Sequence, residues 1–171
     1  LYGLMNELPG VWCERVFAPW GDMEEKMREN AIPLYALESH DPVKAFDLIA
    51  FTIGYEMSYT NILNMLELSC VPLLAKDREG LENIVFAGGV CAVNPEPLAD
   101  FIDFFSLGEG EDITKEIIGC YREAKKDGCS KRDFLLRVSK IPGVYVPSLY
   151  EHTYNPDGTL AAITPLHGAP E

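Results

Sequence analysis

Asp47-Leu48-Ile49-Ala50-Phe51-Thr52-Ile53-Gly54-Tyr55-Glu56-Met57-Ser58-Tyr59-Thr60 is the stretch whose reading decides the fold. Its first seven residues are almost continuously apolar, the pattern of a strand covered on both faces. Gly54 then frees the backbone to turn. From Tyr59 to Leu68 the apolar positions Ile62, Leu63, Met65, Leu66 and Leu68 switch to a helical period. A doubly covered strand that passes through a glycine loop into a helix is half of a βαβ unit, and such units build parallel sheets.

The alternation continues downstream. Val71 to Leu74 and Ile84 to Ala87 are strand candidates, the second ending in Gly88-Gly89. A helix is expected around Glu96 to Ile102, capped by Asn94 with proline in its first turn. Phe104 to Leu107 reads as a strand that ends in Gly108-Glu109-Gly110-Glu111. Ile113, Ile117, Ile118, Tyr121 and Ala124 then mark one helix face, which Gly128 terminates. Ser130 with Asp133 opens a last helix in the manner of a capping box.

Upstream, Leu1, Leu4, Met5 and Leu8 form an apolar helical stripe that Pro9-Gly10 stops. No capping residue precedes Leu1, so the expectation is a helix whose preceding strand lies before this numbering. Glu14 to Pro19 and Ile32 to Leu37 are short strand candidates around a polar helix from Asp22 to Asn30. At the other end, Val144 to Tyr154 and Thr159 to Ile163 flank the turn signal Asn155-Pro156-Asp157-Gly158. The sum is an α/β unit over residues 1–143, a Rossmann-like or flavodoxin-like, mostly parallel sheet with flanking helices. A C-terminal β-hairpin within residues 144–171 is appended to it.

Composition narrows the function. The chain has 171 residues, and 14 Lys and Arg against 27 Asp and Glu give a net charge of −13. So acidic a surface repels phosphate backbones, which argues against nucleic-acid binding by this segment. No apolar run is long enough to span a membrane, and no signal peptide is visible. The five cysteines, Cys13, Cys70, Cys91, Cys120 and Cys129, are nowhere closer than 9 residues, unlike the close pairs of zinc and iron–sulfur sites. An odd number of thiols without an export signal is the usage of a cytoplasmic protein. His40, His152 and His167 have no partner at a recognisable spacing, so no catalytic residue and no metal ligand is assigned.

In parallel sheets, ligands collect beyond the carboxyl ends of the strands. Three loops stand there. Gly54, Tyr55, Glu56, Ser58 and Tyr59 combine a backbone turn with flat aromatic faces, and Ser58 and Thr60 can cap the next helix. Gly88 and Gly89 permit close backbone approach, though neither a GxGxxG nor a P-loop lysine is present. Gly108, Glu109 and Gly110 open the last long helix. The Glu109 and Glu111 carboxylates oppose a phosphate there but suit hydroxyl or amide donors. Each loop equally fits a structural reading: a helix cap with packed tyrosines, a sharp turn, a neutralised helix dipole.

Taken together, ERVFAPW, GYEMSYTNILNML, AGG-x-C-x-x-NPEPLADF-x-DFF-x-LGEGE and IPGVYVP make the chain from about Val11 to Pro165 resemble one known family. It is the amino-terminal domain of uncharacterised bacterial radical SAM proteins (radical S-adenosylmethionine proteins) that carry a cobalamin-binding-type domain. The resemblance implies a Rossmann-like domain in which the three glycine loops cradle cobalamin. It also implies a following barrel of the same polypeptide, whose CxxxCxxC motif holds an iron–sulfur cluster that cleaves S-adenosylmethionine. That motif is absent here, so the chain is expected to be an accessory domain of an enzyme rather than its catalytic part. The cobalt-ligating DxHxxG of many cobalamin proteins has only Glu38-Ser39-His40-Asp41-Pro42-Val43 as a local match, with the wrong acid and no glycine. Two rival readings stand beside it. One is a cofactor-free docking or substrate-recognition module of the same protein, and the other a flavodoxin-like domain for a flavin or nucleotide, which the acidic third loop disfavours.

Overall fold

A computed structural model describes residues 1–166 and 168–170. Its main sheet is built from β1 (Leu48–Thr52), β2 (Ile84–Gly88), β3 (Phe104–Ser106) and β4 (Val144–Tyr145), in that order. The first three strands are parallel and β4 is antiparallel to β3. Between β1 and β2 runs α3 (Tyr59–Leu68), and between β3 and β4 run α4 (Gly110–Asp127) and α5 (Lys131–Val138). Ahead of the sheet lie α1 (Tyr2–Asn6) and α2 (Gly21–Glu29). This is the α/β, mostly parallel architecture expected from the sequence.

Side-chain alternation along the strands divides the core. Ile49, Val85, Ala87 and Phe105 point to one face, where Ile62 and Leu66 of α3 cover them together with Leu98 and Ile102. Ile84, Phe86 and Phe104 point to the other, under Ile117, Tyr121 and Ala124 of α4 and Phe134, Leu135 and Val138 of α5. Phe86 stacks on Phe104 with ring centroids 4.9 Å apart, and Phe134 meets Phe104 edge-on. The registers Ala50–Phe86–Phe104 and Phe51–Ala87–Phe105 run straight across the sheet. Full burial of β2 and β3 explains why both read as unbroken apolar runs.

Several helix ends follow the sequence closely. Gly128 closes α4 in the left-handed conformation, with φ of 65°. The Ser130 hydroxyl accepts the Asp133 amide at 3.1 Å and so caps α5. Elsewhere the reading is corrected. Glu14–Pro19 and Val71–Leu74 form no strand, and Ile32–Leu37 contributes a single bridge, Tyr35 to Pro42. These short apolar stretches pack by single side chains, Val16 and Tyr35 against the α3-side core, and bond by isolated backbone links such as the Leu37 amide to Arg15 O at 2.9 Å rather than by a ladder. The helix expected from Glu96 to Ile102 is only a 3-10 turn over Glu96–Leu98, and Asn94 makes no cap.

The run from 144 to 154 divides. Val144–Tyr145 joins the main sheet, while β5 (Tyr150–Tyr154) and β6 (Leu160–Pro165) form the separate antiparallel hairpin. Tyr150 stacks on Tyr145 at 5.5 Å, and the Tyr145 hydroxyl donates to Glu96 Oε1 at 2.7 Å. His152 Nε2 lies 3.7 Å from the same carboxylate oxygen.

At the amino edge of the sheet, a buried ion cluster joins three segments. Asp103 accepts Arg78 Nη2 at 3.0 Å and the Val85 amide at 2.8 Å, and Lys131 Nζ lies 2.6 Å from its second oxygen. Lys131 also donates to the carbonyls of Ala75 and Arg78, each at 2.6 Å. Burial pushes the Lys131 ammonium downward, and the Asp103 carboxylate opposes that shift.

Candidate functional site

Because β1, β2 and β3 are parallel neighbours, their carboxyl ends open on one edge, and the three predicted loops meet there. The first two are joined directly. The Ile53 amide donates to Gly88 O at 2.7 Å, and the Cys91 amide donates to Ile53 O at 3.0 Å. The third is held from the far side, where the Leu107 amide donates to Gly143 O at 2.7 Å.

The glycines differ in what their bare Cα atoms serve. At Gly89, with φ of 102°, a Cβ would come within 2.8 Å of Ile53 O. At Gly88 it would lie 3.3 Å from Ser106 O. This pair therefore allows loop-to-strand packing, and the space expected for a ligand at Gly89 is filled by the Ile53 backbone. Gly110 opens α4 under the side chain of Leu1, 3.1 Å from where its Cβ would be. Gly54 and Gly108 have nothing within 4 Å of that point, and Gly108 has φ of 111°. These two face open space.

Around them, Glu56, Met57 and Ser58 form a 3-10 turn. Ser58 Oγ donates to Tyr55 O at 2.6 Å and leaves the α3 amides uncapped, contrary to the capping expected of it. The Tyr59 hydroxyl donates to Asn94 O at 3.3 Å, tying the first loop to the second. Burial, and then the Glu56 carboxylate, push the Tyr59 phenol upward. The same two causes raise the Cys91 thiol and keep it protonated at neutral pH. Glu109 stands just before α4, with Glu111 and Asp112 in the first turn. Those carboxylates complement the helix dipole and repel an anion.

An apolar rim is the feature that the sequence did not single out. Tyr55 is 61% exposed, Met57 71%, Val90 75% and Val93 74%, all on the two joined loops. Glu24 meets Asn64, and Arg28 meets both Asn64 and Glu67, so α2 and α3 run side by side in one direction. The exposed Trp20, at the start of α2, therefore lies toward the same edge. The available signal was Val90-Cys91-Ala92-Val93 after Gly88-Gly89, an apolar stretch that lies beyond the end of a completed strand.

Other features lie apart from these loops. A recess of about 570 Å³ takes in Pro142, Gly143, Tyr150 and Ala169 but none of the predicted loop residues. His40 packs edge-on to Tyr35 at 5.9 Å, and His167 lies outside the described residues. Among the described residues, no three His, Cys, Asp or Glu side chains gather as a metal site. No helix there is long and apolar enough to cross a membrane.

Comparison with known proteins adds the following. A family model described as "Radical SAM proteins, N-terminal" matches residues 1–147. An uncharacterised protein of Methanocaldococcus jannaschii is 33% identical over 129 residues, which make up 72% of this chain and 26% of that protein. This chain thus spans about a quarter of the length of that relative. No solved structure matches significantly.

Proposed function

The chain belongs to the family of N-terminal domains of radical SAM proteins, and from that premise we propose that it is an accessory domain that docks through the carboxyl edge of its sheet. Its partner in this reading is the catalytic barrel of the same polypeptide, which holds the iron–sulfur cluster and S-adenosylmethionine. The exposed apolar rim of Tyr55, Met57, Val90 and Val93 carries the proposal. Apolar side chains clustered on adjoining loops lose contact with water when a second surface covers them, and that transfer is the main favourable term in association.

A second reading, cobalamin held at the same edge, is favoured by the open space at Gly54 and Gly108. A corrin is broad and flat, and it needs exposed backbone beside an apolar ledge. Gly54, Tyr55, Gly108 and Glu109 fit that need, while Gly88 and Gly89 are already committed to Ile53 and Ser106. Bound cobalamin would supply cobalt-based methyl transfer or another radical step. This chain's residues would orient it: Gly54 and Gly108 by close backbone approach, Tyr55 by its ring face, and Glu56 and Glu109 by accepting hydrogen bonds from its amides. The flavin or nucleotide alternative finds no support in a third loop that begins with acidic side chains.

Titration of the intact protein with hydroxocobalamin, followed by visible absorbance, tests the second reading against Gly54→Trp as a blocked-edge control. Saturable binding that the control abolishes supports a cobalamin site. If the folded protein fails to bind, docking alone remains. Docking is tested separately by Met57→Glu with Val90→Glu, which should raise protease sensitivity between this domain and the rest of the protein while its own melting temperature holds.

A further inference from the structure

We propose that the surface which covers the carboxyl edge of the sheet is basic, with Lys and Arg side chains set around an apolar centre. The inference rests on the docking reading above and commits it to one chemistry, a cationic face of the catalytic barrel.

The edge is built like one half of such a joint. The strand order β1-β2-β3 puts the loop after β2 between the loops after β1 and β3. That middle loop, Gly88-Gly89-Val90-Cys91-Ala92-Val93-Asn94, carries no charge, and its Val90 and Val93 are exposed. The flanks differ. Glu56 stands in the loop on one side, and Glu109 and Glu111 stand on the other, all exposed. Asp22, in the first turn of α2, is exposed too and extends the β1 flank. An uncharged apolar centre inside a polar rim is the anatomy of a protein interface.

The rim has one sign. Loops 53–60, 88–95 and 107–112 contain no Lys or Arg. The cations nearest to them are committed elsewhere: Lys26 to Glu29, Arg28 to Glu24 and Glu67, and Lys115 to Asp112. Asp22, Glu56, Glu109 and Glu111 therefore make no ion pair among the described residues. Lys140 lines the recess with Pro142 and Gly143, on the β4 side. The amino edge, by contrast, is mixed. Lys44 and Lys76 precede β1 and β2 in company with Asp47 and Asp77, and Lys126 and Asp127 end α4.

Helix dipoles leave most of this charge in place. Each helix start supplies about half a positive charge, so the starts of α2, α3 and α4 offset less than half of the four carboxylates. A neutral or acidic surface closing on Val90 and Val93 would strip water from those carboxylates and return no counter-charge. A basic one pairs with them, and the opposite potentials draw the two surfaces together.

Limited proteolysis of the intact protein between this domain and the rest tests the inference, each rate being divided by that of an unfolded peptide with the same scissile bond. Raising NaCl from about 0.05 M to about 0.5 M shortens the screening length to roughly 4 Å. Cleavage should then quicken by about fivefold or more. Glu109→Gln with Glu111→Gln should quicken cleavage at low salt and abolish most of the salt response, whereas Asp77→Asn with Glu79→Gln at the amino edge should change neither. Met57→Gln with Val90→Gln, which adds no charge, probes docking itself and should quicken cleavage at both salt levels. If that pair has its effect while wild-type cleavage stays within about twofold across the salt range, docking stands and the basic partner is overturned. A salt response that the Glu109 and Glu111 variant keeps in full overturns it as well. If Met57→Gln with Val90→Gln changes nothing, the docking reading falls and this inference falls with it.

Discussion

A methyl group at Gly89 would press on the Ile53 carbonyl at 2.8 Å in a backbone region that L residues rarely adopt. One at Gly54 would meet nothing within 4 Å. Gly89→Ala should therefore destabilise the protein by about 2 kcal/mol or more, and Gly54→Ala should stay within about 0.5 kcal/mol. Chemical denaturation of both variants checks this, and equal losses would refute the assignment of Gly89 to packing. All four strand-end glycines, Gly54, Gly88, Gly89 and Gly108, were legible in the sequence as loop residues. Whether each bare Cα served a ligand or a neighbouring carbonyl was not, because the obstructing atom at Gly89 comes from a residue 36 positions away. Met57, Val90 and Val93 escaped for a related reason: apolar residues normally signal the core, and only the third dimension shows them turned outward.

Among the elements, α3 was readable from its periodicity, α4 from periodicity together with the left-handed Gly128, and α5 from periodicity together with its Ser130 cap. β1, β2 and β3 were readable as continuous apolar runs. Glu14–Pro19, Ile32–Leu37 and Val71–Leu74 failed because a short apolar stretch has the same pattern whether or not a neighbour offers it hydrogen bonds. The joint between loop 75–78, β3 and α5 had no sequence signal at all, since Arg78, Asp103 and Lys131 are far apart in the chain. Asp103→Asn would leave Arg78 and Lys131 buried without their counter-charge. It should cost about 3–5 kcal/mol, read by thermal or denaturant unfolding. A loss below about 1 kcal/mol would mean that water reaches the cluster.

At the scale of the whole molecule, two tyrosines bind distant parts together. The Tyr121 hydroxyl donates to Leu81 O at 2.7 Å, linking α4 to the approach to β2, and Tyr145 links β4, the Glu96 turn and the hairpin. Burial raises both phenols well above the ordinary tyrosine range, with Asp47 and Glu96 adding to the effect. A group raised in the folded state gives its stability in full below the unfolded pKa, near 10, and loses it as pH climbs beyond that value. Absorbance at the phenolate wavelength should show Tyr121 and Tyr145, among the 8 tyrosines, ionising only with alkaline unfolding. Ionisation of all eight near pH 10 in the folded protein would refute their burial. The division of the core has one more consequence. Phe86 and Phe104 are covered by Phe134, Leu135 and Val138, and by Val146 and Leu149, residues that the ribosome adds only after all three parallel strands. A growing chain that has finished its parallel strands still shows those rings to water, so it stays a client for chaperones until α5 and β4 have left the exit tunnel.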